Sequence, residues 1–138
     1  MIVADTNILA YLYLPCEHTA LIEQLLRQEP EWAAPVLWRS EFRNVLALYL
    51  RKGLLSFEQA YSIQADAEHL LNAHEFEMDS FDVLSIANSS AISAYDAEFV
   101  ALARRQDIPM ATMDSKVLSE FPDIARTPER LLHEQPGS

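Results

Sequence analysis

The sequence predicts an α/β fold in which a mostly parallel sheet of four or five strands lies between layers of helices. Short apolar segments alternate with longer ones whose apolar residues recur every three or four positions, the spacing of a helix with one buried face. Ile2–Ala4 is apolar throughout, as in a strand covered on both faces. Strands that alternate with helices favour parallel pairing, because each connection crosses back over the sheet.

The strand predictions rest on short segments bounded by turn or helix signals. Ile2–Ala4 and Trp32–Pro35 are apolar, 74–78 alternates polar and apolar residues, and 110–112 follows Pro109. Residues 124–126 are a candidate fifth strand at the sheet edge.

The helix predictions rest on apolar spacing and on residues that begin or end helices. Pro15, Pro30 and Gly53 mark the ends of the first three helices, and Ser56 is an expected N-terminal cap of the fourth. The predicted helices are Thr6–Tyr13, 18–28, 36–52, 57–72, 79–91, 96–106 and 115–121.

Composition favours one globular domain, residues 1–138, with 133–138 as a flexible tail. Half of the 138 residues are hydrophobic and 22% are charged. Gly53 and Gly137 are the only glycines, which excludes the phosphate-binding and dinucleotide-binding glycine motifs. The net charge of −11 argues against a protein that coats nucleic acid, although not against an enzyme that acts on it.

Location is predicted from what the sequence does not contain. No apolar run approaches the ~20 residues of a membrane span, and we expect neither a span nor a secretory leader. Cys16 is the only cysteine, so we expect a cytoplasmic protein without an intramolecular disulfide. We expect Cys16 itself to be a buried or half-buried thiol.

Four acidic residues are the candidate functional groups. Asp5 and Asp114 follow the first and fourth predicted strands, Asp96 opens a predicted helix, and Glu41 lies in the first turns of another. Ligands of parallel sheets bind at the carboxyl ends of the strands, so we expect these side chains to converge there. Clustered carboxylates repel one another unless a cation binds, and hard oxygen ligands suit Mg²⁺ or Mn²⁺ better than Zn²⁺.

Four motifs that contain these acids resemble those of PIN domains, the metal-dependent ribonuclease fold of VapC-type toxins. They are residues 2–9 (IVADTNIL), 40–46 (SEFRNVL), 92–103 (ISAYDAEFVALA) and 111–116 (ATMDSK). Any one of them is weak, but the four occur in the family's order over nearly the whole chain. The resemblance implies a PIN-like three-layer sandwich.

The same resemblance implies an activity and its residues. It implies a Mg²⁺- or Mn²⁺-dependent endoribonuclease whose metal is held by Asp5, Glu41, Asp96 and Asp114. Asn7 and Thr112 would support them, although Asn7 could equally cap the first helix and Thr112 could simply end a strand. It also implies an antitoxin partner, a homodimer, and products with a 5′-phosphate and a 3′-hydroxyl.

Other polar and aromatic side chains carry weaker expectations. Glu98 is expected to point away from the cleft, because it lies two helix positions beyond Asp96. Arg39 and Arg43 share a helix face and would reach a phosphate at the rim or a partner, but Lys116 is better placed for substrate. Trp32 and Trp38 are expected to be core or interface residues.

The helices at 36–52 and 57–72 contain more large apolar residues than one packed face requires, including Leu46, Leu48, Tyr49, Leu50, Leu54 and Leu55. We therefore expect a groove for a partner helix or a homodimer contact there.

Two other classes of function stay open. A PIN-like scaffold could bind RNA or protein without cutting, although it would have no chemical need for four acids held together. A phosphotransfer or phosphatase domain is also conceivable on this type of sheet. The receiver class needs an acidic pair after the first strand, and the dehalogenase-type class needs Asp-x-Asp, whereas this chain has Ala4, Asp5 and Asn7 there.

Overall fold

A computed structural model describes residues 1–134 of the chain. That range contains five strands: β1 (Ile2–Ala4), β2 (Trp32–Pro35), β3 (Glu75–Phe76), β4 (Met110–Ala111) and β5 (Ala125–Arg126). It also contains eight helices: α1 (Thr6–Tyr13), α2 (Thr19–Gln28), α3 (Trp38–Arg51), α4 (Phe57–Leu71), α5 (Ser80–Asn88), α6 (Ala94–Gln106), α7 (Ser115–Glu120) and α8 (Pro128–His133).

The five strands form one sheet in the order β3-β2-β1-β4-β5, and every pair of neighbours is parallel. Ile2 lies opposite Trp32 on one side of β1, and Val3 lies opposite Met110 on the other. The predicted α/β fold is confirmed, with five strands and an entirely parallel sheet. The carboxyl ends of β1 and β4 therefore lie side by side, where ligands bind in such sheets.

The core lies on both faces of this sheet. Every residue of β1 and β2 is buried, and α6 packs against β1, β2 and β4. Trp32 and Trp38 are fully buried, as predicted. Each indole N–H has an acceptor, the Glu29 carbonyl at 2.7 Å for Trp32 and the Glu75 carboxylate at 2.8 Å for Trp38.

Short polar side chains fix the helix starts, much as the sequence indicates. Ser56 caps α4, and its hydroxyl accepts the Gln59 N–H while the Gln59 side chain accepts the Ser56 N–H. Ser93 caps α6 by accepting the Asp96 N–H at 3.1 Å. Gly53 follows α3 with a φ of 72°, a left-handed conformation that a side chain disfavours.

Several predicted boundaries were wrong by a few residues. Helix α6 begins at Ala94, so Asp96 lies inside its first turn rather than at its start. Helix α8 was not predicted, and its last residue, His133, was assigned to the tail. The remaining tail residues, 135–138, lie outside the described range. Cys16 is exposed rather than buried. None of the helices in residues 1–134 has the length and apolar composition that crossing a bilayer requires.

Arg39, for which the sequence predicted a phosphate or a partner as ligand, joins α3 to α4 and β3 within the protein. Its guanidinium donates to both carboxylate oxygens of Glu75, at 2.6 and 2.7 Å, and to Glu68 at 3.0 Å. This bidentate ion pair holds the pKa of Glu75 below its usual range and raises that of Arg39. It fixes the edge strand β3 beside the start of α3, the helix that carries Glu41.

Arg39→Ala should lower the free energy of unfolding by about 2 kcal/mol, because two partly buried carboxylates lose their charged donor. Arg51→Ala is the matched control, since Arg51 is exposed in the last turn of the same helix and has no ion pair within residues 1–134. Urea denaturation of both variants measures the difference. Equal midpoints would show that the Arg39 ion pair does not stabilise this edge of the sheet.

Candidate metal and active site

Asp5 occupies the centre of the candidate site. It follows β1 and caps α1, and only 6% of its surface is exposed. One carboxylate oxygen accepts the Thr6 N–H at 2.8 Å, and the other accepts the Thr112 hydroxyl at 2.6 Å. The Asn7 amide donates to that second oxygen at 3.5 Å. The local fold thus holds a carboxylate at the end of the central strand.

Thr112 links Asp5 to Asp114. It follows β4 and is fully buried. Its hydroxyl donates to Asp5 and accepts the Asp114 N–H at 3.0 Å, so one side chain contacts both acidic segments. Asp114 in turn caps α7 by accepting the Val117 N–H at 3.0 Å. These contacts set the orientation of Asp5 and the start of α7 together.

Glu41 and Asp96 approach from the first turns of α3 and α6. Both side chains are half-buried. The Thr6 hydroxyl donates to the Glu41 carboxylate at 2.7 Å and so connects α3 to the residue that follows Asp5. Glu41 is therefore tied to the edge of the sheet at which Asp5 lies, and Asp96 enters from the first turn of α6.

The electrostatics place the four acids in one neighbourhood. Burial, together with the charges of Asp96 and Glu41, raises the pKa of Asp5 to about 6, against the lowering effect of its hydrogen bonds. Burial also raises the pKa of Glu41, and the Asp96 charge adds to this effect. The pKa of Asp96 is raised by burial and then by the charge of Asp114. Each acid thus acts electrostatically on at least one of the others.

The donor set fits a divalent cation. Carboxylate and amide oxygens are the ligands that Mg²⁺ and Mn²⁺ prefer, and Asn7 Oδ1 is buried without a hydrogen-bond partner in the described residues. In residues 1–134, however, no three His, Cys, Asp or Glu side chains converge closely enough to hold a metal ion. Asp5, Glu41 and Asp114 each accept at least one hydrogen bond within the protein.

Two residues near the site were not predicted from the sequence. Thr6 is buried, and its N–H donates to Asp5 while its hydroxyl donates to Glu41. In the sequence, the only indication of this role is a hydroxyl side chain next to a candidate acid. Glu98, which was expected to point away from the cleft, is half-buried, and its charge adds to the raised pKa of Glu41. Spacing along α6 gives no information about where α3 lies, so the sequence carries no signal for this electrostatic effect.

Comparison with known proteins identifies the family. The profile of the PIN domain matches residues 2–125, almost the whole chain. The chain belongs to the PIN domain family.

Three similar proteins are at most 27% identical to this chain. Ribonuclease VapC3 of Pyrobaculum aerophilum is 27% identical over 126 residues, which cover 89% of this chain and 96% of that protein. The crystal structure of PAE2754 from Pyrobaculum aerophilum superposes with a TM-score of 0.76 at 20% identity, over 95% of this chain and 85% of that one. A toxin-antitoxin complex from Klebsiella pneumoniae gives 0.68 at 17% identity, over 93% and 98%. These structures support the PIN fold.

The raised pKa of Asp5 predicts how metal-free stability depends on pH. A carboxyl whose pKa is higher in the folded state stabilises fully below its unfolded pKa, and this contribution is lost as pH rises through the folded value. Relative to Asp5→Asn, the wild type should therefore lose about 2 kcal/mol of unfolding free energy between roughly pH 4.5 and 7.5. Chemical denaturation in EDTA measures this difference, and a pH-independent difference would contradict the raised pKa.

Proposed function

We propose that this chain is a Mg²⁺- or Mn²⁺-dependent endoribonuclease that hydrolyses RNA phosphodiester bonds. The observation that carries the proposal is the buried Asp5 carboxylate, whose pKa is raised by burial and by acids from distant parts of the chain. A bound cation would offset the cost of holding these like charges together. The match to the PIN domain and the similarity to a protein named ribonuclease support the reaction class.

In this proposal Asp5, Glu41, Asp96 and Asp114 hold the metal. When bound, one or two divalent ions would supply an activated water and stabilise the charge that develops on the phosphoryl oxygens. Asp5 and Asp96 are assigned to direct coordination, and Glu41 and Asp114 to a second ion, directly or through water. Asp5 follows β1 and caps α1, and Asp96 lies in the first turn of α6.

Thr112, Thr6 and Asn7 would position the acids. The Thr112 hydroxyl donates a hydrogen bond of 2.6 Å to one oxygen of Asp5 and so restricts the orientation of that carboxylate. The Thr6 hydroxyl does the same for Glu41 at 2.7 Å. The unpartnered Oδ1 of Asn7 is available to a metal-bound water, and its amide group already contacts Asp5. Fixed ligands are what a preorganised site requires.

Asp96→Asn should abolish cleavage, since it removes a proposed ligand charge without changing side-chain size. Asp107→Asn is the matched control, because Asp107 is exposed at the opposite end of α6 and its left-handed φ of 53° suits Asn. The assay incubates single-stranded and structured RNAs with each protein in Mg²⁺, Mn²⁺ or EDTA.

Three results are decisive in that assay. Cleavage that requires metal, survives in Asp107→Asn and disappears in Asp96→Asn supports the nuclease. Cleavage that is unaffected by EDTA, or that leaves a 2′,3′-cyclic phosphate, contradicts it. If the protein neither cuts RNA nor gains thermal stability from Mn²⁺, the alternative of a non-catalytic RNA- or protein-binding scaffold takes its place.

We further propose that the chain is the toxin of a type II toxin–antitoxin pair, cytoplasmic, with a small antitoxin bound between α3 and α4. A groove of about 320 Å³ lies there, with apolar walls and with Arg43, Gln64 and Glu68 among its lining residues. Phe57 and Tyr61 stack beside it, and each is 69% exposed. An amphipathic antitoxin helix would cover these apolar side chains. The similarity to a chain from a toxin-antitoxin complex supports this partner.

Tyr61→Glu should weaken antitoxin binding by at least tenfold, because a charge would replace an exposed aromatic side chain at the groove. The control is Tyr95→Glu, since Tyr95 is 63% exposed but lies on α6 and does not line the groove. Calorimetry with an antitoxin encoded beside the gene measures both affinities. A loss in Tyr95→Glu alone would place the partner elsewhere.

A homodimer completes the proposal. Phe81 and Leu84 lie one turn apart on α5 and are 78% and 63% exposed, a second apolar surface outside the groove. Sedimentation that finds only monomer would contradict the dimer.

A further inference from the structure

An RNA substrate faces an unfavourable charge at this site. The chain has ten Lys and Arg residues and a net charge of −11, and four of its carboxylates are the proposed metal ligands. One or two divalent ions would offset at most the charge of those four acids. The RNA backbone carries a further negative charge at every phosphate, so binding requires a cationic side chain that is placed to receive one.

Half of the ten cations are already in ion pairs within the described residues. Arg39 and Arg43 pair with Glu68, and Arg39 also pairs with Glu75. Arg104, near the C-terminal end of α6, pairs with Asp123. Arg126 and Arg130 both pair with Glu134, which follows α8. Each of these charges already has a carboxylate partner in the protein.

Four more cations lie far from the acids. Arg51 is the last residue of α3 and Lys52 is its C-terminal cap, whereas Glu41 lies in the first turn. About ten residues separate them from Glu41, which at roughly 1.5 Å per residue is about 15 Å along the helix. Arg105 similarly lies about 14 Å along α6 from Asp96. Arg27 is in the last turn of α2, which leads into the amino end of β2, whereas Asp5 follows the carboxyl end of the parallel strand β1.

The tenth cation is Lys116, in the first turn of α7. Hydrogen bonds fix this turn, because Thr112 bonds both Asp5 and the Asp114 N–H, and Asp114 accepts the Val117 N–H. Lys116 therefore lies between two anchored residues, next to the edge of the site. Its side chain is exposed and makes no ion pair in the described part of the chain.

The electrostatics of Asp96 agree with this placement of Lys116. Burial and the Asp114 charge raise the pKa of Asp96, whereas the positive charge of Lys116 lowers it. Its ammonium group is thus within electrostatic range of Asp96. A flexible, exposed lysine that reaches one carboxylate of the cluster can also reach an anion that docks beside it.

We propose that Lys116 binds a backbone phosphate of the RNA at the edge of the acidic site. This inference rests on the proposed nuclease function and adds the residue that receives the substrate. It makes Lys116 a substrate-binding residue that is not required to hold the metal. Because lysine acts as a point charge, the contact is sequence-independent.

The test compares Lys116→Gln and Lys116→Arg with Lys52→Gln, an exposed lysine at the far end of α3. Anisotropy measures binding to a labelled pool of random single-stranded RNA, with Ca²⁺ replacing Mg²⁺ to suppress cleavage, over a range of salt concentrations. Lys116→Gln should bind roughly tenfold more weakly, and the slope of log affinity against log salt should fall by about 1. Lys116→Arg and Lys52→Gln should bind like the wild type.

Thermal stabilisation by Mn²⁺ and cleavage by the wild type are measured in parallel. Equal stabilisation of all four proteins, together with the selective RNA defect, supports the proposal. The proposal is overturned if Lys116→Gln binds RNA as tightly as Lys52→Gln does. It is also overturned if the wild type gains stability from Mn²⁺ but does not bind the RNA pool. A wild type that neither binds Mn²⁺ nor cuts RNA would instead overturn the nuclease function.

Discussion

The burial of the Asp5 carboxylate among other acids is the constraint on which the rest of the site depends. A charge at the end of the central strand is costly, because it loses hydration and faces Glu41 and Asp96. Hydrogen bonds from Thr6 and Thr112 offset part of that cost but leave the pKa near 6. A bound cation would relieve this repulsion, and this is the basis of the metal-dependent function proposed for the site.

The fold supplies the other acids by connecting elements that are distant in sequence. Parallel pairing of β1 with β4 brings Asp114 beside Asp5, and the first turns of α3 and α6 bring Glu41 and Asp96. The contacts outside the site serve the same geometry, since the Arg39 ion pair fixes the start of α3 against β3. Stability and site geometry are therefore coupled through a few polar contacts between elements.

Much of the fold could be predicted because the signals are local. Apolar spacing located all five strands and seven helices, and Ser56 was identified as a cap. Contacts between elements could not be predicted in this way. The bond from Thr6 to Glu41, the approach of Glu98 to Glu41 and the Arg39 ion pair each depend on how helices pack. The short helix α8 was missed because six residues give too little periodicity.

The central claim is that the four acids form one divalent-cation site, and a crystal structure of the protein grown with Mn²⁺ tests it most directly. Anomalous scattering would locate the ion without assumptions about the side chains. We expect a peak coordinated by Asp5 and Asp96, with Glu41 and Asp114 turned towards the same ion or a second one. Well-ordered crystals with no peak at these residues, or with Mn²⁺ bound only elsewhere, would contradict the account.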